Sequence, residues 1–360
     1  MESLFRAITP SVPEWLERDA PFTQAEVAAL FEAGSPLLRA NPYALSAPLN
    51  TQRARRADWK VFLWFCEERR FLALPAAPAV VVAFVETLSM PIGPKPPRSV
   101  ATLQRYLSTI AHAHTLSNLP DPTRTAYVKG AIKALTRGRP TSQPRQALRW
   151  EPIAAALAAL TTGSLTWDLR AKALLAVAYS TMARRAELVA LTVEHLKIDT
   201  EGEGVALIYM TKVDREEPRF LSAEVVSHLN AWLRHARITS GAVFRRIENA
   251  GVVGERALHP QEVARTIQRV AQWMTSHGHP WPDLHLGAHS TRIGAAHDMV
   301  AAGIDLTSIM HAGGWNDPKM PRYYTRELAA KDSGMARLVR ARRATQWPLR
   351  MAEDPAGPAF

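Results

Sequence analysis

A basic, proline-containing stretch at residues 136–148 (TRGRPTSQPRQAL) divides this chain into two parts with different sequence patterns. It contains two prolines and one glycine but few apolar residues, a composition typical of a linker. Since single domains usually contain about 100–200 residues, a chain of 360 residues interrupted in this way is expected to form at least two. The predicted organisation is an N-terminal extension at 1–42, a first domain at 43–136, a linker at 137–149, a second domain at 150–345 and a loose tail at 346–360.

The first part has the spacing of packed helices. Trp59, Phe62 and Cys66 recur at helical intervals in a helix predicted over 50–70. Three further helices are predicted over 79–88, 100–116 and 123–135. Because the connections between them are short, this part is expected to form a compact all-helical domain.

The second part mixes helices with one β-prone segment. Val205–Met210 (VALIYM) predicts a strand, and Arg219–Leu221 is its expected partner across a polar turn. Helices are predicted over 151–160, 169–191, 225–237, 262–277, 290–302 and 306–312, and another is expected to begin after Asn316-Asp317-Pro318. The predicted fold class is therefore mainly α, with an all-helical domain followed by an α+β domain that holds a small antiparallel sheet.

The charge of the chain favours a polyanionic partner. Lys and Arg number 44 against 33 Asp and Glu, which gives a net charge of +11. Residues 122–150 contain seven Lys or Arg and no acid, and residues 336–350 contain five arginines and no acid. A solvated face is the alternative reading of such runs, but solvated faces usually mix both signs. Contact with the phosphates of nucleic acid is the favoured interpretation.

Other features exclude several classes of protein. Cys66 is the single cysteine, which excludes an internal disulfide framework and a multi-cysteine metal site. The N-terminus lacks the pattern of a signal peptide, and the uncharged runs are shorter than the ~18 residues of a membrane span. A cytoplasmic protein with no membrane partner is expected. His277, His279, His285 and His289 lie close together, but prolines interrupt their spacing, so no metal site is predicted.

Several residues that could take part in catalysis occur in a distinctive order. Arg184 and Glu187 are three residues apart, as are His289 and Arg292, and a Gly-Gly-Trp sequence ending at Trp315 follows. Each pair alone is weak evidence for a functional site, since a neighbouring Arg and Glu most often form a surface ion pair. Together with Lys212 in a predicted β-turn and Tyr324 nine residues after the tryptophan, the order resembles the tyrosine recombinase (phage integrase) family. The resemblance covers roughly residues 43–345.

The resemblance implies how a phosphate would be held. Arg184 and Arg292 clamp the scissile phosphate, and Glu187 orients Arg184. His289 donates to a phosphate oxygen and can accept the tyrosine proton. Trp315 stands where many members of the family have a histidine. The first domain then corresponds to the family's all-helical core-binding (SAM-like) domain and the second to its catalytic domain.

The resemblance also implies the covalent chemistry. Tyr324 is the nucleophile that forms a 3′-phosphotyrosine, and its distance from Trp315 selects it over Tyr323. Lys212 protonates the departing 5′-hydroxyl. Two arginines and two further donors can stabilise the charge that a metal ion often stabilises, so no metal, nucleotide or other cofactor is expected.

The implied partners are double-stranded DNA with an inverted-repeat target site and further copies of the chain. A dimer is expected on each site and a tetramer when two sites meet, with residues 336–343 docking into a neighbouring protomer. The candidate DNA-binding residues are Arg53, Arg55, Arg56, Gln104, Arg105, Arg137, Arg139, Arg265 and Arg269.

Three functions remain open at this stage. The first is site-specific recombination of DNA. The second is relaxation or resolution of DNA by cleavage and rejoining, as in a type IB topoisomerase or a resolvase. The third is DNA binding without catalysis by a protein of the same fold.

Overall fold

The computed structural model of the chain describes residues 23–32, 35, 47–94, 96–139, 145–210, 215–248, 251–279, 281, 285–331 and 333–353. The chain divides into two compact units between residues 143 and 144, inside the proline-containing stretch. Lys212 and its turn, most of the predicted N-terminal extension and the last seven residues of the predicted tail lie outside the described residues. The finer domain limits stay predictions.

The first unit is built from helices. They are α1 (Gln24–Ala29), α2 (Leu49–Arg69), α3 (Pro78–Ser89), α4 (Val100–Leu116) and α5 (Ala126–Thr136), with a short 3₁₀ turn at Pro122–Arg124 before α5. Thr23, Ser99 and Thr125 cap α1, α4 and α5 by accepting hydrogen bonds from backbone N–H groups. The α4 bounds agree with the prediction, and the other predicted helices differ by one to three residues at their ends.

Aromatic side chains form the core of the first unit. Trp59, Phe62 and Phe84 are fully buried, and the Phe62 and Phe84 rings meet edge to face at 5.0 Å. Cys66 is part of this core, and burial raises the pKa of its thiol to about 12. A protonated buried thiol is a poor nucleophile, so Cys66 contributes to the packing of the core.

The second unit combines helices with two small antiparallel sheets. Its helices are α6 (Trp150–Ala159), α7 (Leu165–Thr181), α8 (Arg185–Ala190), α9 (Ala223–His235), α10 (Pro260–Ser276), α11 (Ser290–Ala301), α12 (Leu306–Gly313), α13 (Lys319–Lys331) and α14 (Gly334–Glu353). Its strands are β1 (Leu196–Ile198), β2 (Gly204–Met210), β3 (Arg215–Leu221), β4 (Arg245–Ile247) and β5 (Val253–Ala257).

The larger sheet has the order β1-β2-β3, and β4 pairs with β5 separately. The β2–β3 hairpin runs in register from Gly204 opposite Leu221 to Met210 opposite Arg215, so the residues around Lys212 join the two strands. The predicted strand 205–210 is confirmed, and its partner is longer than predicted. Strands β1, β4 and β5 were not predicted, because they are short and partly exposed.

The core of the second unit surrounds α7, which is buried on nearly every side. One prediction here was wrong. The helix expected over 169–191 is interrupted at Met182, whose backbone is left-handed (φ 51°), and α8 begins only at Arg185. The prediction of a loose tail from residue 346 was also wrong in part, because α14 continues as a helix to Glu353. None of the described helices is long and apolar enough to cross a membrane.

Candidate active site

Residues from separate segments of the second unit line one cavity of about 370 Å³. The lining residues are Arg184, Met210, His289, Arg292, Gly314, Trp315, Asn316, Asp317, Met320 and Tyr324. All the predicted catalytic residues except Glu187 and Lys212 therefore line a single cavity. Glu187 contacts Arg184, and Lys212 lies outside the described residues.

The break between α7 and α8 places Arg184 at this cavity. Met182 ends α7, and Arg184 stands immediately before α8. Buried Glu187 accepts hydrogen bonds from the backbone N–H of Arg184 at 2.8 Å and from its Nη1 at 2.6 Å. One carboxylate thus fixes both the backbone and the guanidinium of Arg184.

Arg292 lies on α11 with only 4% of its surface exposed. Its Nη1 donates to the carbonyl oxygen of Met182, and its guanidinium carbon lies 4.0 Å from the centroid of the Trp315 ring. Its Nη2 is buried and has no hydrogen-bond partner among the described residues. Burial, and after it the charge of Arg184, lowers the pKa of Arg292 to about 10, so the side chain is still a cation at neutral pH. An unpaired donor on a buried cation favours an anion in the cavity.

His289 directly precedes α11 at the cavity wall. Burial lowers its pKa below the ordinary value for histidine, and the positive charges of Arg292, Arg185 and Arg184 act in the same direction. The imidazole is therefore neutral at physiological pH. One ring nitrogen can donate a hydrogen bond while the other accepts a proton.

The Gly-Gly-Trp turn brings Trp315 against the cavity. Gly314 ends α12 in the left-handed conformation (φ 61°), which glycine adopts readily. A Cβ at Gly313 would lie 2.1 Å from the Trp315 ring, so only glycine fits there. The Trp315 ring centroid lies 6.2 Å from that of Tyr324.

Tyr324 lies on α13 and is half-buried. Burial raises the pKa of its phenol above the ordinary value, although the charges of Arg292 and Arg184 oppose this. The phenol is therefore protonated at neutral pH and needs a base before it can act as a nucleophile. Tyr323 is 38% exposed and is not among the residues that line this cavity.

Sequence reasoning missed two residues beside this cavity, Arg219 and His297, and a third residue elsewhere on α11, Asp298. Arg219 of β3 is buried, and its Nη2 lies 3.7 Å from Sδ of Met210. His297 of α11 contacts the backbone oxygen of Tyr324 through Nε2 at 2.8 Å. Asp298 accepts hydrogen bonds from the backbone N–H of Trp150 and the hydroxyl of Tyr179, at 2.8 and 2.6 Å. The partners of His297 and Asp298 are between 27 and 148 residues away in sequence, so spacing gives no signal for these two residues.

The candidate DNA-binding residues of the first unit fall into two groups. Arg53, Gln104 and Arg137 are exposed. The others have protein partners. Arg55 contacts Nε2 of His112 at 2.8 Å, and Arg105 makes two hydrogen bonds to Asp58 at 2.7 and 2.8 Å. Arg56 and Arg139 donate to backbone carbonyl oxygens, those of Phe31 at 2.9 Å and of Ser89 at 2.7 Å. Their donors are at least partly engaged within the unit.

The two candidates of the second unit lie on α10 and are exposed. Arg265 forms an ion pair with Glu262 at 2.5 Å. The guanidinium carbon of Arg269 lies 4.2 Å from the centroid of the Trp167 ring. Neither contact uses every donor of an arginine.

Two of the four closely spaced histidines stack against a tryptophan. The His277 and Trp273 rings are 4.1 Å apart at an angle of 19°, and His279 is roughly parallel to the same tryptophan. Over the described part of the chain, no three His, Cys, Asp or Glu residues form a group that could hold a metal ion.

Comparison with known proteins explains why these residues meet. The sequence model of the phage integrase family matches residues 147–331, which is more than half of the chain. The chain belongs to the phage integrase family. All the described residues of the candidate active site lie inside the matched segment, on the integrase unit that begins at residue 144.

Two relatives extend the similarity beyond that segment. This phage integrase is 25% identical to the recombinase Cre of Escherichia phage P1 over 257 residues, which cover 67% of this chain and 75% of the relative. It is 26% identical over 305 residues to an integrase/recombinase XerD homologue of Selenomonas ruminantium, covering 80% and 85% of the two chains.

Solved structures share the fold of this integrase. The XerH site-specific recombinase bound to palindromic difH substrate matches with a TM-score of 0.56 and 17% identity, covering 82% of this chain and 83% of that one. The integrase of transposon Tn1549 in complex with transposon right end DNA matches with a TM-score of 0.57 and 12% identity, covering 83% and 94%. At these identities the likeness supports the fold alone.

Proposed function

We propose that this integrase is a site-specific DNA recombinase that cleaves and rejoins strands through a 3′-phosphotyrosine. The observation that carries the proposal is the meeting of Arg184, His289, Arg292, Trp315 and Tyr324 around one cavity. Two cations, a neutral imidazole, an indole and a phenol are the groups that a phosphodiester transfer to tyrosine requires.

The arginines hold the scissile phosphate and stabilise the transition state. Nη2 of Arg292 supplies a buried hydrogen-bond donor. The guanidinium of Arg184, which Glu187 orients, supplies further donors. Negative charge grows on the non-bridging oxygens as the tyrosine attacks. Cations already fixed in place, one of them largely removed from water, stabilise that charge without reorganising.

Proton transfer follows from the pKa directions. The Tyr324 phenol is protonated at neutral pH because its pKa is raised, and the neutral His289 can accept its proton. We assign protonation of the departing 5′-oxygen to Lys212, on the basis of its position between β2 and β3. Attack on the phosphorus breaks the bond to the 5′-oxygen and forms one phosphotyrosine ester, so one phosphate ester replaces another and no nucleotide triphosphate is required.

Assembly of two protomers on each site, and of four when two sites meet, completes the proposal. The XerH recombinase of similar fold is bound to a palindromic substrate, and a palindrome suits a dimer with two-fold symmetry. Met335, Leu338 and Val339 of α14 are exposed, which favours exchange between protomers over cleavage within one duplex. We place this activity in the cytoplasm, on the nucleoid, phage or plasmid DNA.

A covalent trapping experiment tests the proposed chemistry. Target DNA is first selected from randomised duplexes, and a nicked version is then used so that cleavage cannot reverse. Tyr324→Phe should abolish the covalent protein–DNA adduct and leave the Kd for DNA within about threefold, because only the nucleophilic oxygen is lost.

Tyr323→Phe is the matched control, since the two tyrosines are adjacent on α13. It should still form the adduct. An adduct in Tyr324→Phe together with none in Tyr323→Phe would reverse the assignment. DNA binding by the wild type without any adduct would favour the non-catalytic alternative.

A further inference from the structure

Arg219 is a buried cation on β3, with 6% of its surface exposed. Its Nη1 donates to the carbonyl oxygen of Pro218 at 3.2 Å, and its Nη2 contacts Sδ of Met210 at 3.7 Å. Its ion pair in the described part of the chain is with Glu217, at a long 3.8 Å. A buried arginine normally needs close charged partners, so these weak contacts leave its charge poorly neutralised.

The side chain runs along the hairpin to the wall of the candidate active site. Arg219 stands opposite Ala206 in the strand register, yet its guanidinium reaches Met210 at the end of β2. A Cβ at Gly314 would lie 2.6 Å from Nη2 of Arg219 and 2.8 Å from the methyl group of Met210. Arg219 therefore lies directly against two residues that line the cavity, Met210 and Gly314.

The charges around this wall are unequal. Arg184, Arg215 and Arg292 are close enough to influence Arg219, and Glu187 and Glu217 are the carboxylates that act on it. Four cations against two carboxylates leave two positive charges in excess. A bound phosphodiester carries one negative charge, so it neutralises half of this excess when DNA occupies the cavity.

We propose that Arg219 is a positioning residue for the strand-transfer reaction. It holds the Gly314–Trp315 turn against the hairpin that leads into Lys212, and it adds positive potential behind the scissile phosphate. This inference rests on the proposed recombinase function. It assigns a role to a residue that lies outside the set predicted from the sequence.

The test compares Arg219→Met and Arg219→Lys with the wild type. Single-turnover cleavage is measured at saturating DNA with two substrates, one with an ordinary scissile phosphodiester and one with a neutral methylphosphonate at that position. Arg219→Met keeps a flexible, unbranched apolar stem and removes the charge. It should slow cleavage of the phosphodiester by about tenfold or more while changing the Kd by less than about threefold.

The charge of the substrate separates electrostatic positioning from simple structural support. With the methylphosphonate, the deficit of Arg219→Met should shrink to about threefold or less, because there is no anionic charge to stabilise. Arg219→Lys should recover part of the phosphodiester rate. Arg234→Met, which removes an exposed arginine at the end of α9, is the control and should cleave both substrates at the wild-type rate.

Several results would overturn the inference. They are an unchanged phosphodiester rate in Arg219→Met, an equal deficit on both substrates, and no recovery in Arg219→Lys. The ratio of the two rates is measured on one protein preparation, so a partly unfolded variant does not disturb it. Failure of the proposed function itself would appear separately, as a wild-type protein that forms no covalent adduct at Tyr324.

Discussion

Single residues in the candidate site differ in how their surroundings affect their protonation. Burial favours the uncharged form of each group, and it acts in opposite directions on the pKa of an imidazole and of a phenol. The pKa of His289 is lowered, and that of Tyr324 is raised. At neutral pH the cavity is therefore lined by a neutral imidazole and a protonated phenol, the two forms that general-base catalysis requires.

The cleavage rate should depend on pH accordingly. His289 loses its capacity to accept a proton only when it becomes an imidazolium, and its lowered pKa places that change below the ordinary value of about 6.5. The rate should stay nearly level from pH 8 to about 6.5 and fall at lower pH. Single-turnover adduct formation across this range measures it.

A non-titrating variant provides the control for this profile. His289→Gln should react more slowly but lose the fall on the acidic side, because the amide binds no proton in this range. A wild-type midpoint at or above about 6.5 would show that the site does not lower the pKa of this histidine.

Helices and strands explain which parts of the site can be read from the sequence. The spacing of His289 and Arg292 at the start of α11, and of Trp315 and Tyr324 across the α12–α13 turn, is local and therefore visible. The interruption at Met182 is not visible, because the apolar pattern continues through it and only the tertiary structure favours a left-handed residue there. Arg219 was missed for a related reason, since its contact with Gly314 joins segments that are almost a hundred residues apart.

The approach of the linker to α11 gives a prediction at the scale of elements. Leu148 N–H donates to the carbonyl oxygen of Ser290, and a Cβ at Gly294 would lie 1.8 Å from the carbonyl oxygen of Leu148. Both groups are backbone, so neither can move aside cheaply. Gly294→Ala should cost about 1–3 kcal/mol or more of unfolding free energy and slow cleavage, because α11 carries Arg292 and follows directly after His289.

Gly130→Ala is the matched control, since Gly130 also lies inside a helix but a Cβ there meets nothing within 4 Å. It should be neutral or stabilise the protein by up to about 1 kcal/mol. Chemical denaturation of both variants gives the comparison. Equal stability of the two would show that Leu148 does not approach α11 as closely as described.

At the scale of the whole molecule, we expect cleavage to be restricted to assembled protomers, because a solitary enzyme that cuts DNA would damage it. The C-terminal helix α14 follows α13, which carries Tyr324, and only two residues separate them. Assembly through α14 could therefore control the nucleophile through a very short connection. The sequence predicted that residues 336–343 dock into a neighbouring protomer but not the length of the helix, which continues to Glu353.

Removal of α14 tests this arrangement at the scale of the assembly. Met335 is 70% exposed, and Leu338 and Val339 are also exposed, whereas a helix packed on its own unit would bury such side chains. Deletion of residues 334–360 should preserve folding and binding to a single half-site, because the described cavity is formed without α14. It should eliminate cooperative binding of a second protomer, and with it recombination.

The triple variant Met335→Ser, Leu338→Ser, Val339→Ser should reproduce the loss without shortening the chain, while Leu165→Ser, at an exposed leucine on α7, should not. Gel-shift titration on one and two half-sites measures cooperativity. If the shortened protein still fills two half-sites cooperatively and recombines them, α14 does not link protomers, and control of Tyr324 must come from another part of the second unit.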